Sequence, residues 1–143
     1  METGYAIKEE IIVTRVAEGA ITFASGAEYA PVIEGTAANQ VKAATAAATN
    51  VVGYVKKPST KDSIADKDTV DVVIDGVIKM PVAGAVAQND PLVVDSTVTQ
   101  LAKITPDTTS AATLLADLKK RCATAKSSTS GAGSAYVKIK TGV

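Results

Sequence analysis

Branching at Cβ constrains this chain more than any other feature. Valine and isoleucine (18 and 10 residues) outnumber leucine (5) more than fivefold, and 17 threonines add further β-branched side chains. A side chain branched at Cβ loses χ1 freedom in a helix and suits a pleated surface, so the chain is expected to fold mainly as sheet. Leucine is too scarce to fill the seams of a helical bundle. The rest of the apolar content is alanine (25 residues), with one phenylalanine, four tyrosines and no tryptophan. Large aromatics normally dominate core energetics. A core of alanine and valine gains little per residue at roughly 25 cal/mol per Å², so burial is expected to continue across subunit boundaries, which adds to apparent stability. The expectation is a mainly β body, a small β-barrel or sandwich, that works as a homo-oligomer.

Periodicity locates the elements. Ile11–Val16 reads as a strand, a turn follows at Glu18-Gly19, and Gly19–Phe23 reads as a second extended piece. Residues 1–34 are expected to form an extended N-terminal arm with edge strands, Pro31 marking an edge or turn. Residues 35–143 would form the β-rich body. Within it, 35–50 is an Ala/Thr-rich connection, and Val51–Val55 is a strand stopped by Lys56-Lys57-Pro58. Val70, Val72, Ile74, Ile78, Met80 and Val82 share one face of a long alternating stretch, with Asp75-Gly76 as a tight hairpin turn or a bulge. Asn89-Asp90-Pro91 is a turn, Leu92–Ile104 continues the β pattern, and Ala135–Lys140 is the last strand.

One segment has helical spacing. Ala111, Leu114, Leu115, Leu118, Cys122 and Ala125 recur on one face between Ser110 and Ala125. Asp107, Thr108, Thr109 and Ser110 are possible N-caps, and Lys119, Lys120 and Arg121 suit the negative end of the dipole. This amphipathic helix, about 110–125, is expected to pack on the sheet. A likeness between Gly19-Ala20-Ile21-Thr22-Phe23 and Gly76-Val77-Ile78-Lys79-Met80 is too weak to define a repeat.

Charge and chemistry-bearing residues exclude several classes. The net charge is zero, which removes the electrostatic case for nucleic acid or membrane surfaces. Residues 1–34 hold six acids and two bases, and the remainder nine and thirteen, so an acidic N-terminal segment precedes a basic body. No apolar run reaches the ~20 residues of a membrane span, and the acidic N-terminus does not read as a signal peptide. Histidine is absent, so no Ser-His-Asp or Cys-His arrangement is possible within the chain. Cys122 is the one cysteine and reads as a small hydrophobe. Asp62, Asp66, Asp68 and Asp71 lack calcium-loop spacing and the required glycine, and Gly131-Ala132-Gly133 is too short for a dinucleotide loop. No catalytic, cofactor or metal residues are assigned, and the chain is read as not an enzyme.

Three stretches in order, Val51-Val52-Gly53-Tyr54-Val55, Asp71–Val82 with Gly76-Val77-Ile78-Lys79-Met80-Pro81, and Ala85–Asp95 with Asn89-Asp90-Pro91-Leu92, end in the alternating strand Tyr136–Lys140. This pattern over residues 51–143 resembles tailed-phage head decoration, or capsid cement, proteins. Those chains often carry V-G-x-V, G-V-x-x-[ML]-P and G-D-P-[LV] motifs in that order. Here Asn89 stands where glycine is usual, which a left-handed turn tolerates, and the segment at 110–125 is larger than the pattern expects. The resemblance implies a β-rich body, often a homotrimer, made in the host cytoplasm and seated on the outer capsid surface of the virion. Its partner would be the major capsid protein, to which an N-terminal arm can add a strand, and it would brace the head against the pressure of packaged DNA. Tyr5, Ile7, Ile11 and Val13 are the expected capsid contacts. Two other classes compete: an adhesion or binding module of a phage fibre or bacterial surface protein, and a biotinyl- or lipoyl-type carrier with Lys67 at a hairpin tip.

Overall fold

The computed structural model describes residues Glu10–Lys140, so Tyr5 and Ile7 lie outside the described residues. The fold is mainly β, as the β-branched composition requires. The first seven strands are β1 (Ile11–Ala17), β2 (Ile21–Thr22), β3 (Tyr29–Glu34), β4 (Gln40–Ala43), β5 (Val51–Lys56), β6 (Ser63–Ile64) and β7 (Thr69–Asp75). Five of them close a barrel in the order β1-β4-β3-β5-β7, with β7 returning to β1. β1 and β4 are parallel and the other neighbours antiparallel, while β2 and β6 pair with each other. The second half follows with β8 (Val77–Val82), β9 (Pro91–Val94), β10 (Leu101–Lys103), α1 (Ala111–Lys119), β11 (Ala123–Ala125) and β12 (Gly133–Ile139). It closes a second barrel of β8, β10, β9, β11 and β12.

The two barrels are the same unit twice. Replacing β1, β4, β3, β5 and β7 by β8, β10, β9, β11 and β12 turns one ring order into the other, including the single parallel pair. The backbone hydrogen bonds repeat as well. Ala44 N–H donates to Pro31 O at 3.2 Å, and Ile104 N–H to Pro91 O at 2.9 Å. Glu18 N–H donates to Val41 O, and Ala83 N–H to Leu101 O, both at 2.8 Å. A turn of one form also recurs at two places that are not counterparts in the repeat, before β7 and before β9. In one, Asp68 Oδ2 accepts from Ala65 N–H and Lys67 N–H reaches Ala17 O; in the other, Asp90 Oδ2 accepts from Ala87 N–H and Asn89 N–H reaches Ala125 O. Sequence likeness survives in Pro31–Gln40 beside Pro91–Gln100, and in Gly19-Ala20-Ile21 beside Gly84-Ala85-Val86. The repeat therefore exists, in a different alignment from the one the sequence suggested.

Corresponding positions fill the two interiors. Val32, Val41 and Val72 are buried in the first core, and Leu92, Leu101 and Val137 take their places in the second. The second core also receives Tyr29, Ile33, Tyr54 and Val73, which face away from the first core on β3, β5 and β7. Tyr54 is fully buried there, and its hydroxyl donates to Cys122 O at 2.8 Å. Ala47 N–H donates to Val94 O at 2.9 Å. The larger core thus spans both barrels, beside a smaller core enclosed within the first barrel, and this burial offsets the scarcity of aromatic side chains.

Several expectations are corrected. The arm does not extend through residue 34: from Ile11 onward the chain forms barrel staves, and closure removes the free edge that strand addition needs. Residues 35–143 are accordingly not a separate body. Asp75-Gly76 is not a hairpin turn, because β7 and β8 do not pair; Gly76, at φ +125°, is the joint through which the chain leaves one barrel for the next. The helix ends at Lys119, and Ala123–Ala125 form β11. Small buried residues in and just before a strand this short, Cys122, Ala123 and Ala125, fit a helical stripe and a strand equally well. Ser110 is the N-cap, with a reciprocal bond to Thr113, but α1 buries no residue and does not pack on the sheet.

The turn geometry gives a direct test of Asn89. It sits in the left-handed region at φ +74°, where asparagine is tolerated and a β-branched residue is not. Asn89→Val is expected to cost about 1–2 kcal/mol, read as a lower denaturant midpoint with an unchanged slope.

Candidate functional site

Both barrel interiors are filled by side chains, so whatever the molecule recognises it meets on its surface. Among the described residues every buried side-chain polar atom has a hydrogen-bond partner. Two open grooves mark the exterior. One, of about 310 Å³, lies between Gly26–Glu28 and Lys79, Pro81 and Ser134; the other, of about 330 Å³, is lined by Lys56–Ser59 and Thr69–Asp71. Neither gathers a set of convergent charged groups.

The acidic run is spent on turns and ion pairs. Asp66 Oδ1 accepts from Gly19 N–H at 2.8 Å, Asp68 caps Ala65 N–H and faces Lys61, and Asp62 pairs with Lys57. No group of three or more potential metal ligands occurs among the described residues. Glu18 is tied locally as well, its carboxylate accepting from the hydroxyl and the N–H of Thr36. Those two bonds hold its pKa below the usual glutamate value. Lys67 is exposed at φ +71° in the turn between β6 and β7, which do not pair, so it occupies no hairpin tip.

Cys122 is buried just before β11, with its thiol directed at Leu92 O at 3.6 Å. Burial raises its pKa to about 11. The thiol is more basic folded than unfolded, so its contribution to stability is complete below the unfolded pKa of about 8.5 and is lost as pH rises through about 11. At pH 8 an aromatic disulfide reagent is expected to label it only through unfolding, so the labelling rate should fall as stabilising osmolyte is added. Rapid stoichiometric labelling of the native protein would contradict this burial.

The expected contact residues divide. Ile11 is 52% exposed and Ile12, its neighbour, 44%. Val13 is partly buried and packs against the first core. Glu10 accepts a 2.5 Å hydrogen bond from the Tyr29 hydroxyl, which pins the start of the described chain to β3. The other large exposed apolar side chains are Leu115 and Leu118 on α1, 55% and 43% exposed. The leucine stripe on α1 was legible in the sequence, but its failure to pack was not. Ile12 lies within the β-branched run Ile11–Val16 and gave no separate signal.

No protein-family model and no curated protein matches the chain.

Proposed function

We propose that the chain is a capsid decoration protein that binds the outside of a phage major-capsid lattice as a homo-oligomer, a trimer, and stabilises the head mechanically. One observation supports this reading most: the motifs of the resemblance fall on staves of both barrels and on the joint between them. Val51–Val55 lies in β5, Gly76 at the joint with Val77–Pro81 in β8, and Asn89–Leu92 at the turn into β9 and its start. The side chains of these stretches go into closing and joining the barrels (Tyr54, Val72, Met80 and Leu92 are buried), which fits a chain whose task is to be a rigid block. A trimer of such blocks holds a lattice by multiplying weak contacts at high effective concentration.

The contact is placed at the start of the chain. Residues 1–9, with Tyr5 and Ile7, precede the barrel stave, and Ile11 is the exposed residue at its start. Removing residues 1–9 should leave the thermal transition in place and weaken co-sedimentation with purified capsids at least tenfold. Unchanged capsid binding by the truncated chain would refute the assignment of the contact to this segment. Binding to cell surfaces or sugars with no affinity for capsids would favour an adhesion module instead.

A further inference from the structure

The contact between the two barrels inside one chain also specifies a contact between chains. In that internal contact, the β4–β5 connection of the first barrel supplies Ala44, Ala47 and Ala48, and it seats on the second barrel where β9 ends at Val94. By the repeat, the segment corresponding to the β4–β5 connection is the β10–β11 connection, which carries α1. The position corresponding to Val94 is Glu34, at the end of β3. Both of these are left open. Leu115 and Leu118 project from α1 unburied, while Glu34 is exposed. The positions that are buried in the second barrel as Val77 and Cys122 correspond to Ile12, 44% exposed, and Val52, half-buried, in the first.

Charge separates the two halves in the same sense. Residues 11–75 carry eight acids and six bases, whereas residues 77–140 carry four acids and eight bases. Three of those bases, Lys119, Lys120 and Arg121, stand at the C-terminal end of α1, next to Leu118. The acidic first barrel and the basic helix-bearing second barrel are complementary, and neighbouring exposed apolar residues mark interaction surfaces.

We infer that a second copy of this chain docks head to tail, the α1 segment of one copy on the first barrel of the next, over the surface that carries Ile12 and Val52. Such a contact is heterologous. It joins different surfaces of identical chains and closes into a ring when the rotation permits. It is the contact through which the oligomer of the preceding section would close, but it does not depend on what that oligomer binds.

The test uses the full-length chain without capsids. Sedimentation velocity over a concentration series should show self-association that weakens at least tenfold between 50 mM and 500 mM salt. Ile12→Asp and Leu118→Asp, both at exposed positions, should each reduce association at least tenfold with unchanged circular dichroism. An equimolar mixture of these two variants should recover a 1:1 dimer, because one retains an intact helix surface and the other an intact barrel surface. Leu115→Lys is the second helix variant, with the same expected loss. The proposal is overturned by a monomer at all concentrations, by variants that associate like wild type, or by a mixture that stays monomeric. Self-association with this pattern but no capsid binding would leave the head-to-tail contact standing and remove the decoration reading.

Discussion

Tyr54→Ala is expected to destabilise the protein by about 3–5 kcal/mol, lowering Tm on the order of 10–20 °C. Tyr54 is the largest fully buried side chain, and it fills the core that the two barrels share. Its removal leaves a void between two rigid closed sheets, which cannot collapse around it. Tyr54→Phe separates packing from hydrogen bonding. It keeps the ring and loses the bond to Cys122 O. That carbonyl also accepts from Lys140 N–H at 3.0 Å, so it is not left unsatisfied and the cost should be only about 1 kcal/mol. Because Tyr54 belongs to both barrels, wild-type unfolding should be one cooperative transition, and the alanine variant should move the whole curve. A variant that melted one barrel while the other kept its original midpoint would show that the core is not shared.

Gly53→Ala should cost about 2–3 kcal/mol, the second largest effect. A Cβ built on Gly53 lies 2.4 Å from Val72 Cγ1 and 2.8 Å from Val73 O. The valine methyl can turn aside, but the carbonyl belongs to the neighbouring stave β7 and cannot move without opening the barrel wall. Gly53 has no positive φ on which to base an argument from backbone freedom, so the effect is one of space. Combining Gly53→Ala with Val72→Ala should recover part of the loss, because the nearer clash disappears while that with the carbonyl stays. A Gly53→Ala protein as stable as wild type would show that β5 and β7 can separate without cost.

The β character and most of the staves were legible because alternation at Val70–Val82 and Ala135–Lys140, and the β-branched run Ile11–Val16, are local properties. The duplication was not. Gly19 precedes Pro31 by twelve residues but Gly84 precedes Pro91 by seven, and the helix-bearing connection between β10 and β11 is longer than the β4–β5 connection, so no single spacing aligns the halves. What remains common is hydrogen bonding of the backbone, which side-chain identity barely records. Asp75-Gly76 suits a hairpin turn or a bulge by sequence, but a glycine with positive φ also serves a chain that leaves one sheet for another. The helix was overextended because Cys122, Ala123 and Ala125 are small and buried and suit either period.

The surface was the least legible part. A stripe of leucines predicts burial, and in α1 it meets solvent. No local pattern distinguishes a helix that packs on its own sheet from one whose face is left to another molecule. Ile11 and Ile12 are likewise apolar and half-exposed, where a β-branched strand would be expected to bury one face.

The measurement that tests the central claim most directly is electron microscopy of phage particles purified with this protein bound. The account predicts density outside the capsid shell at threefold or quasi-threefold positions, into which the paired barrels fit as a trimer. Density confined to a tail or fibre, or capsids that bind none of the protein, would contradict it.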